Sequence, residues 1–155
     1  MKDKFKNVLV FSIIFAFIDQ FIKILVNSKM VLGTSIPIIK NFFSLTLVHN
    51  TGAAFSILTG NRILLIVIGF ISIFLLSLYI LKLKEIEDSD IYAYALLLGG
   101  IIGNLIDRIV HGYVIDYLSL NFGSYSFPIF NFADVCIVIS IITILLKMLK
   151  EDLWK

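Results

Sequence analysis

GGIIGNLIDRIVHGYVIDYLSLNFGSYSFPIFNFAD, from Gly99 to Asp134, is the stretch that decides how this chain folds. It lies between two strongly apolar runs, yet it carries three aspartates, Asp107, Asp116 and Asp134. Carboxylates at membrane depth are costly and by default indicate a functional site. We therefore predict that Asp116 and Asp134 meet as a pair where two membrane helices end.

The composition of the chain excludes an ordinary soluble globular domain. Its 155 residues are 59% hydrophobic and 15% charged, with a mean hydropathy of +1.01, whereas soluble domains carry about 25% charged residues. The net charge of +2 is small and the basic residues are scattered, so we expect no nucleic-acid partner. Cys136 is the single cysteine and the histidines number two. We therefore expect no disulfide, no metal site and no cofactor.

Hydropathy predicts a single integral-membrane domain, residues 1–155, with four spans. The spans cover residues 7–26, 63–81, 91–109 and 131–149, and the outer loops cover residues 27–61 and 110–130. Each span is close to the ~20 residues that a membrane helix needs. The basic head and first apolar run also resemble a signal peptide. No small-residue cleavage site follows, and Asp19 and Lys23 interrupt the run, so we expect an uncleaved span.

The first outer loop carries a strand pattern. In FFSLTLVHN, Phe42–Asn50, polar residues alternate with apolar ones, which is typical of a short β-strand. The predicted fold class is an all-α membrane protein, four transmembrane helices with a small extracytoplasmic β-platform that comes from this loop. The second outer loop contains Gly112, Gly123 and Pro128, and we predict it as a loop.

The basic residues orient the four spans. One side of the predicted arrangement holds Lys29, Lys40 and Arg62, and the other holds Lys2, Lys4, Lys6, Lys82, Lys84, Lys147, Lys150 and Lys155. Cytoplasmic loops carry the excess of basic residues. Both termini are therefore expected in the cytoplasm. This orientation places both long loops, and the pair of aspartates, at the outer face of the membrane.

Further polar residues share helix faces inside the spans. Asn104, Asp107 and Arg108 lie three and four positions apart, so they share one face, which must look inward because its desolvation in lipid would be too costly. Asp19 and Lys23 are four apart and can pair on the first span. Lys23 could instead snorkel to the interface with Asp19 as its partner, so a purely structural role stays open for both.

Two carboxylates that share one site can hydrolyse a peptide bond. Because both cannot ionise cheaply, one keeps a proton. The ionised member takes a proton from water, and the neutral member donates one to the carbonyl oxygen. Alternatively, Asp134 only caps the fourth helix and Asp116 is a solvated loop residue. Two rival classes are an ion-coupled transporter, which would place its charges nearer the midplane, and an inert membrane scaffold.

Five motifs, taken in order, resemble a known family. They are DQFIK at Asp19–Lys23, HNTGAAF at His49–Phe55, GNLIDR at Gly103–Arg108, VIDY at Val114–Tyr117 and FNFAD at Phe130–Asp134. Their order and spacing resemble prolipoprotein signal peptidase, the signal peptidase II family. The resemblance implies a four-helix aspartyl endopeptidase of the bacterial cytoplasmic (inner) membrane, with an extracytoplasmic β-cradle.

The resemblance also implies a substrate and site residues. The substrate is a prolipoprotein with a diacylglyceryl-modified cysteine, cleaved just before that cysteine. Asp116 and Asp134 match the family's catalytic aspartates, and the matching polar residues around them are Asn50, Asn104, Arg108 and Asn131, with Asp19 and Lys23 in support. Gly52 joins this set because a residue without a side chain lets other backbone approach closely. Membrane lipids are further expected partners, and we expect a monomer.

Three positions carry expectations of their own. Val135-Cys136 follows Asp134, where the family would have a small or hydroxylated residue such as serine, and we expect Cys136 to be a buried small hydrophobe. Asn50 lies in an Asn-Thr-Gly sequence that is also typical of an ordinary turn. Asp107, outside the pair, is expected to matter much less for activity than Asp116.

Overall fold

The computed structural model describes residues 2–53, 57–83 and 86–153. Its elements, in chain order, are α1 (Lys2–Lys29), β1 (Ser35–Ile39), β2 (Phe43–Asn50), α2 (Arg62–Lys82), α3 (Asp88–Val110), β3 (Val114–Phe122), β4 (Tyr125–Ser126) and α4 (Phe132–Leu153). Helices α1, α2 and α3 each contain one predicted span completely. Helix α4 begins one residue after the start of the fourth predicted span. Ala54 and Phe55 of the HNTGAAF motif, and the expected cytoplasmic Lys84 and Lys155, lie outside the described residues.

Among the described residues, four helices are long and apolar enough to cross a membrane. The most apolar window of α2 has a mean hydropathy of 2.9, whereas that of α3 has only 1.5. The difference follows from position in the bundle, because α3 packs against α1, α4 and α2. A helix enclosed by other helices can carry polar side chains that a lipid-facing helix cannot. The predicted inward face of α3 is confirmed, since Asn104 and Asp107 are both buried.

Glycines bring the helices around α3 into close contact. A Cβ atom on Gly100 would lie 2.6 Å from the carbonyl oxygen of Ala133 in α4. One on Gly103 would lie 2.5 Å from Oδ2 of Asp19 in α1. Both distances are shorter than a van der Waals contact, so a larger side chain at either glycine would push α4 or α1 away. The start of α4 and the middle of α1 therefore both pack closely against α3, at glycines that are less than one helical turn apart.

The sheet corrects one prediction. It is antiparallel in the order β1-β2-β3-β4, so β3 and β4 come from residues 110–130, which the sequence indicated as a loop, and the platform is not built from the first outer loop alone. In β2–β3 pairing, Asn50 faces Val114 and Val48 faces Asp116. The first four residues of β3 are all buried, so alternating burial, the mark of a half-exposed strand, is confined to its second half, where Leu118–Phe122 alternates apolar and polar residues.

One contact fixes the sheet to the end of the bundle, and a second joins the start of α2 to the end of α3. Leu47, Ile115 and Tyr117 form a buried cluster that packs on Ile22 and Val26 of α1. Arg62, the first residue of α2, donates from Nε to the carbonyl oxygen of Arg108 at 2.8 Å and from Nη2 to that of Ile109 at 2.7 Å. These bonds satisfy carbonyls that the end of α3 leaves without helical partners.

The turn from α3 into β3 follows at once. Gly112 in this turn has a φ of +86°, a backbone conformation that favours glycine. The chain thereby reverses direction within the three residues between α3 and β3. Strand β3 then runs across the end of the helical bundle. This reversal places Asp116, the third residue of β3, beside the start of α4.

Candidate active site

Asp116 lies on β3 and is 2% exposed. Both oxygens of its carboxyl group accept hydrogen bonds from amide side chains. Asn50 Nδ2, on the neighbouring strand β2, donates to Oδ2 at 2.8 Å. Asn131 Nδ2, at the start of α4, donates to Oδ1 at 2.6 Å. Asp116 is therefore not the solvated loop residue of the alternative interpretation.

Asp134 is the third residue of α4, and its two oxygens have separate partners. Oδ2 accepts from the backbone N–H of Asn131 at 3.1 Å, while the Asn131 side chain accepts from the N–H of Asp134 at 3.0 Å. This reciprocal arrangement is a helix cap. Oδ1 accepts from Nδ2 of Asn104 on α3 at 2.8 Å. The capping alternative is thus correct as a contact, yet the same carboxylate also belongs to the polar cluster around Asp116.

Burial and charge make Asp116 unusual among carboxyl groups. The pKa of Asp116 is raised to about 7, mainly because burial penalises the charged form and then because the charge of Asp134 lies close. The hydrogen bonds from Asn50 and Asn131 and the charge of Lys23 act in the opposite direction. A carboxyl group with this pKa still carries its proton in a large share of molecules at neutral pH.

Arg108 links the end of α3 to the segment after β2. Its Nη2 donates to the carbonyl oxygen of Gly52 at 3.0 Å and its Nη1 to that of Asn104 at 3.2 Å. Among the described residues, its buried Nε has no hydrogen-bond partner. The N–H of Gly52 donates to Oδ1 of Asn50 at 2.9 Å, which turns the amide nitrogen of Asn50 towards Asp116. Asn50 therefore forms the expected turn and contacts Asp116 with the same side chain.

Asp19 and Lys23 form the expected pair, with 2.8 Å between Lys23 Nζ and Asp19 Oδ2. Both side chains are completely buried, so Lys23 does not snorkel to the interface. Lys23 Nζ also donates to Oδ1 of Asn104 at 2.9 Å and lies 3.0 Å from Oδ2 of Asp107. The structure thus brings the first-span pair to the same cluster as Asn104.

Two residues of this region were missed by reasoning from the sequence. Gln20 Nε2 donates to Asp107 Oδ1 at 2.9 Å and to the carbonyl oxygen of Gly103 at 3.0 Å. The hydroxyl oxygen of Tyr117 accepts from the N–H of Phe132 at 3.2 Å, and burial raises its pKa. Both lie beside residues that were singled out, Gln20 next to Asp19 and Tyr117 next to Asp116, and that adjacency is the signal that could have found them.

A cavity of about 1040 Å³ opens onto the two aspartates. Its polar end includes Asn50, Asn104, Arg108, Asp116 and Asp134. The rest of its wall is largely apolar and includes Leu120, Phe127, Pro128, Ile129, Val135 and Val138. Within the described ranges, no three His, Cys, Asp or Glu side chains are arranged to hold a metal ion. The site can therefore accept an extended apolar ligand with one polar segment against the carboxyl groups.

These features define a small multi-pass membrane protein with a buried carboxylate cluster at one end of its helices. A family model described as "Signal peptidase (SPase) II" matches residues 11–150. The chain therefore belongs to the signal peptidase II family, a family of peptidases, as its motifs indicated. This membership favours peptide hydrolysis over the transporter and scaffold alternatives.

Similar proteins agree with this assignment. The chain is 43% identical over 135 residues to a lipoprotein signal peptidase of Halothermothrix orenii, covering 87% of this chain and 90% of that protein. It is 37% identical over 144 residues to a lipoprotein signal peptidase of Lactiplantibacillus plantarum, covering 93% and 95%. The similarity thus extends over nearly the full length of both relatives.

Two solved structures share the architecture. Both are described as bacterial membrane enzymes. One superposes with a TM-score of 0.87 at 31% identity, covering 95% of this chain and 90% of the other. The second has a TM-score of 0.83 at 32% identity, covering 94% of each chain. The predicted fold class, four membrane helices with a small sheet, is confirmed.

Proposed function

We propose that this protein removes the signal peptide from diacylglyceryl-modified prolipoproteins, with Asp116 and Asp134 as an aspartic-type catalytic dyad. The observation that carries the proposal is that two carboxyl groups line one cavity and that one of them can hold a proton. The pKa of Asp116 is raised to about 7, so this group can hold a proton. Asp134 accepts two hydrogen bonds, from Asn104 and from the N–H of Asn131, and it lines the same cavity as Asp116.

In the proposed reaction the two groups act together on a water molecule and the scissile carbonyl. The water oxygen attacks the carbonyl carbon, Asp134 takes a proton from the water, and Asp116 gives its proton to the carbonyl oxygen. The resulting neutral diol then collapses. Asp134 passes its proton to the leaving nitrogen, a hydroxyl of the diol returns a proton to Asp116, and the C–N bond breaks. Both groups end in their starting states.

The surrounding polar residues have distinct proposed roles. Asn50, Asn104 and Asn131 hold the two carboxyl groups through the hydrogen bonds described above. Arg108 holds Gly52 and the segment after β2 over the site, and its Nε, which has no hydrogen-bond partner among the described residues, would donate to a substrate carbonyl. An arginine suits this position because its planar fork donates in several fixed directions at once.

The cavity suits the proposed substrate. Its apolar wall can contact the end of a signal helix and the lipid chains of the modified cysteine, which remain in the bilayer. The polar end of the cavity needs to receive only the peptide bond before that cysteine. Because Asp116 and Asp134 lie at one end of the helices, the hydrolytic water can reach them without crossing the membrane.

We further propose that this end faces the outside and that both termini are cytoplasmic, as the distribution of lysines indicates. Single cysteines introduced at Asp88 and at Ser124, each in a Cys136→Ser background, mark the two ends. An impermeant thiol reagent added to intact cells is expected to label the cysteine at position 124 alone. Labelling at position 88 alone would reverse the orientation.

The decisive experiment offers the purified protein two precursors. One carries a diacylglyceryl-modified cysteine, and the other has serine at that position and no lipid. We expect a mobility shift for the lipidated precursor only, and a product that begins at the modified cysteine by mass spectrometry. The control enzyme is the double variant Asp116→Asn/Asp134→Asn, which should cleave neither. The proposal fails if the folded protein leaves the lipidated precursor intact or if the double variant cleaves it.

A further inference from the structure

We infer that Lys23 is a positioning residue that sets the places of both proposed catalytic aspartates through three buried acceptors. The inference rests on the proposed function and adds to it a residue that contacts neither aspartate. It also gives Asp107 a role that the sequence did not indicate. The observations that carry it are the three contacts of the Lys23 ammonium group and what each acceptor binds next.

The ammonium group of Lys23 is enclosed on three sides. It lies 2.8 Å from Oδ2 of Asp19 and 3.0 Å from Oδ2 of Asp107, and it donates to Oδ1 of Asn104 at 2.9 Å. The side chain is completely buried. An ammonium group has three N–H donors and no acceptor, so three acceptors satisfy it and determine its position.

Two of the three acceptors each hold the backbone immediately before one aspartate. Asp107 Oδ2 accepts from the N–H of Ile115 at 3.0 Å, and Ile115 precedes Asp116 on β3. Asp19 Oδ1 accepts from the N–H of Ala133 at 3.0 Å, and Ala133 precedes Asp134 on α4. Lys23 therefore connects the two elements that carry the pair: β3 through Asp107, and α4 through Asp19.

The third acceptor touches the pair directly. An amide side chain has one accepting and one donating end. Because Lys23 can only donate, the oxygen of Asn104 must face the lysine, and its nitrogen then faces Asp134, to which it donates at 2.8 Å. The oxygen of Asn104 also accepts from Nδ2 of Asn131 at 3.1 Å, and that same nitrogen donates to Asp116. The orientation of one amide therefore affects both aspartates.

Gln20 makes this arrangement rigid. It ties Asp107 Oδ1 to the carbonyl oxygen of Gly103, so both oxygens of Asp107 are occupied. Hydrogen bonds that involve a charged partner are stronger than neutral ones, and a buried ion that loses its partner is costly. Each member of the network therefore resists displacement, and Asp19, Lys23 and Asp107 hold the two aspartates without lining the cavity.

The test compares three variants with the same lipidated precursor. Lys23→Gln removes the ammonium group but also leaves two buried carboxylates without a cation, and this variant can fail to fold. Lys23→Gln/Asp19→Asn removes one buried positive and one buried negative charge, so the net buried charge is that of the wild type. Lys29→Gln makes the same change at an exposed position of the same helix and is the matched control.

We expect the charge-balanced double variant to fold and to lose about 10²-fold in kcat, because a displacement of about 1 Å at reacting groups has that effect. KM should change little, since Lys23 does not line the cavity. Amide hydrogen exchange at Ile115 and Ala133, measured by NMR in detergent, should become about 10-fold faster. Lys29→Gln should match the wild type in all three measurements.

If Lys23 had only a structural role, the result would be different. The double variant would then recover wild-type kcat once its thermal stability is recovered, and exchange at Ile115 and Ala133 would stay slow. Either result overturns the inference while leaving the aspartic mechanism intact. Failure of the proposed function is recognised separately, because the wild-type protein would then leave the lipidated precursor uncut while its amide exchange could still be compared with that of the variants.

Discussion

Lysine–carboxylate ion pairs occur at both ends of the helical bundle, but they are buried at one end and exposed at the other. At the sheet end, Lys23 joins Asp19 and Asp107 with side chains that are at most 1% exposed. At the other end, Lys4 lies 3.1 Å from Asp88, with side chains 42% and 88% exposed. Lys147 lies 2.9 Å from Glu87 and 2.8 Å from Asp90, and it is itself 29% exposed.

The difference between these ends shows that burial, not the presence of charge alone, determines how lysine and carboxylate side chains interact. Exposed ion pairs are screened by water, so each contributes little. Buried groups lose their water, so they must find protein partners and can have strongly shifted pKa values. Asp116, whose pKa is raised to about 7, belongs to the buried end. The four predictions below test this contrast, starting with the largest expected effect.

The proposed dyad should be the most sensitive position in the chain. Asp116→Asn and Asp134→Asn are each expected to reduce cleavage by at least about 10²-fold, the low end for general acid–base catalysis. The double variant should be scarcely worse than either single variant, because groups that act as one unit are not additive. Initial rates on the lipidated precursor, at matched folded protein, measure this.

A helix cap alone predicts the opposite for one of these variants. Asparagine is itself a good N-cap, so Asp134→Asn would keep near-normal activity if capping were its whole role. Asp88→Asn, at the exposed opposite end, serves as the matched control and should cleave like the wild type. Retained activity in either single dyad variant would contradict the aspartic mechanism.

Of these four predictions, Arg108→Lys should have the second-largest effect, about a 10-fold loss of cleavage. Arg108 donates from two nitrogens to Gly52 and Asn104, and a lysine replaces this planar fork by a single point charge. A lost hydrogen bond to a charged group is worth about 1.5–3 kcal/mol. Lys29→Ala, an exposed basic residue, is the control. Equal, wild-type-like rates in both variants would remove Arg108 from the site.

The pH dependence should report the proton on Asp116. If neutral Asp116 is required, cleavage falls as pH rises through about 7, because this group then ionises. Asn50→Ala removes a hydrogen bond that favours the ionised form, so the pKa of Asp116 should rise further. The alkaline limb of kcat/KM against pH should then move to higher pH, although the maximal rate falls. A limb that moves to lower pH would contradict this assignment of the proton.

The smallest effect is expected at the end opposite the sheet. Lys147→Ala breaks the contacts with Glu87 and Asp90, yet it should cost about 1 kcal/mol or less in stability and leave cleavage within about twofold of the wild type. Thermal unfolding and initial rates measure both. A loss of activity as large as that of Lys23→Gln/Asp19→Asn would show that the two ends do not differ in the way proposed here.

Several parts of this protein follow from the sequence alone. The spans are apolar runs whose length matches the bilayer, so hydropathy locates α1–α4. Local spacing predicts that Asn104 and Asp107 share one face of α3 and that Asp19 can pair with Lys23, because helix geometry is periodic. The ordered motifs around Asp116 and Asp134 indicate the family, since they preserve residue types at defined intervals.

Other parts needed the tertiary structure. The first four residues of β3 are all buried, and only their pairing with β2 shows that they belong to a strand, although Leu118–Phe122 alternates apolar and polar residues as a strand does. Asp107 looks peripheral in the sequence, but the reversal after α3 places its carboxylate against the N–H of Ile115. Contacts of this kind join residues that are distant along the chain, which no local pattern records.

The raised pKa of Asp116 is another feature that only the tertiary structure reveals. Its main cause is burial, followed by the nearby charge of Asp134, and both arise only when β3 and α4 meet. The sequence by itself determined which residues are present at the end of the bundle and that they need partners there. The tertiary structure alone decided that the pKa of Asp116 is raised and that Lys23 lies against Asp19, Asp107 and Asn104, because burial and three-dimensional distance set both.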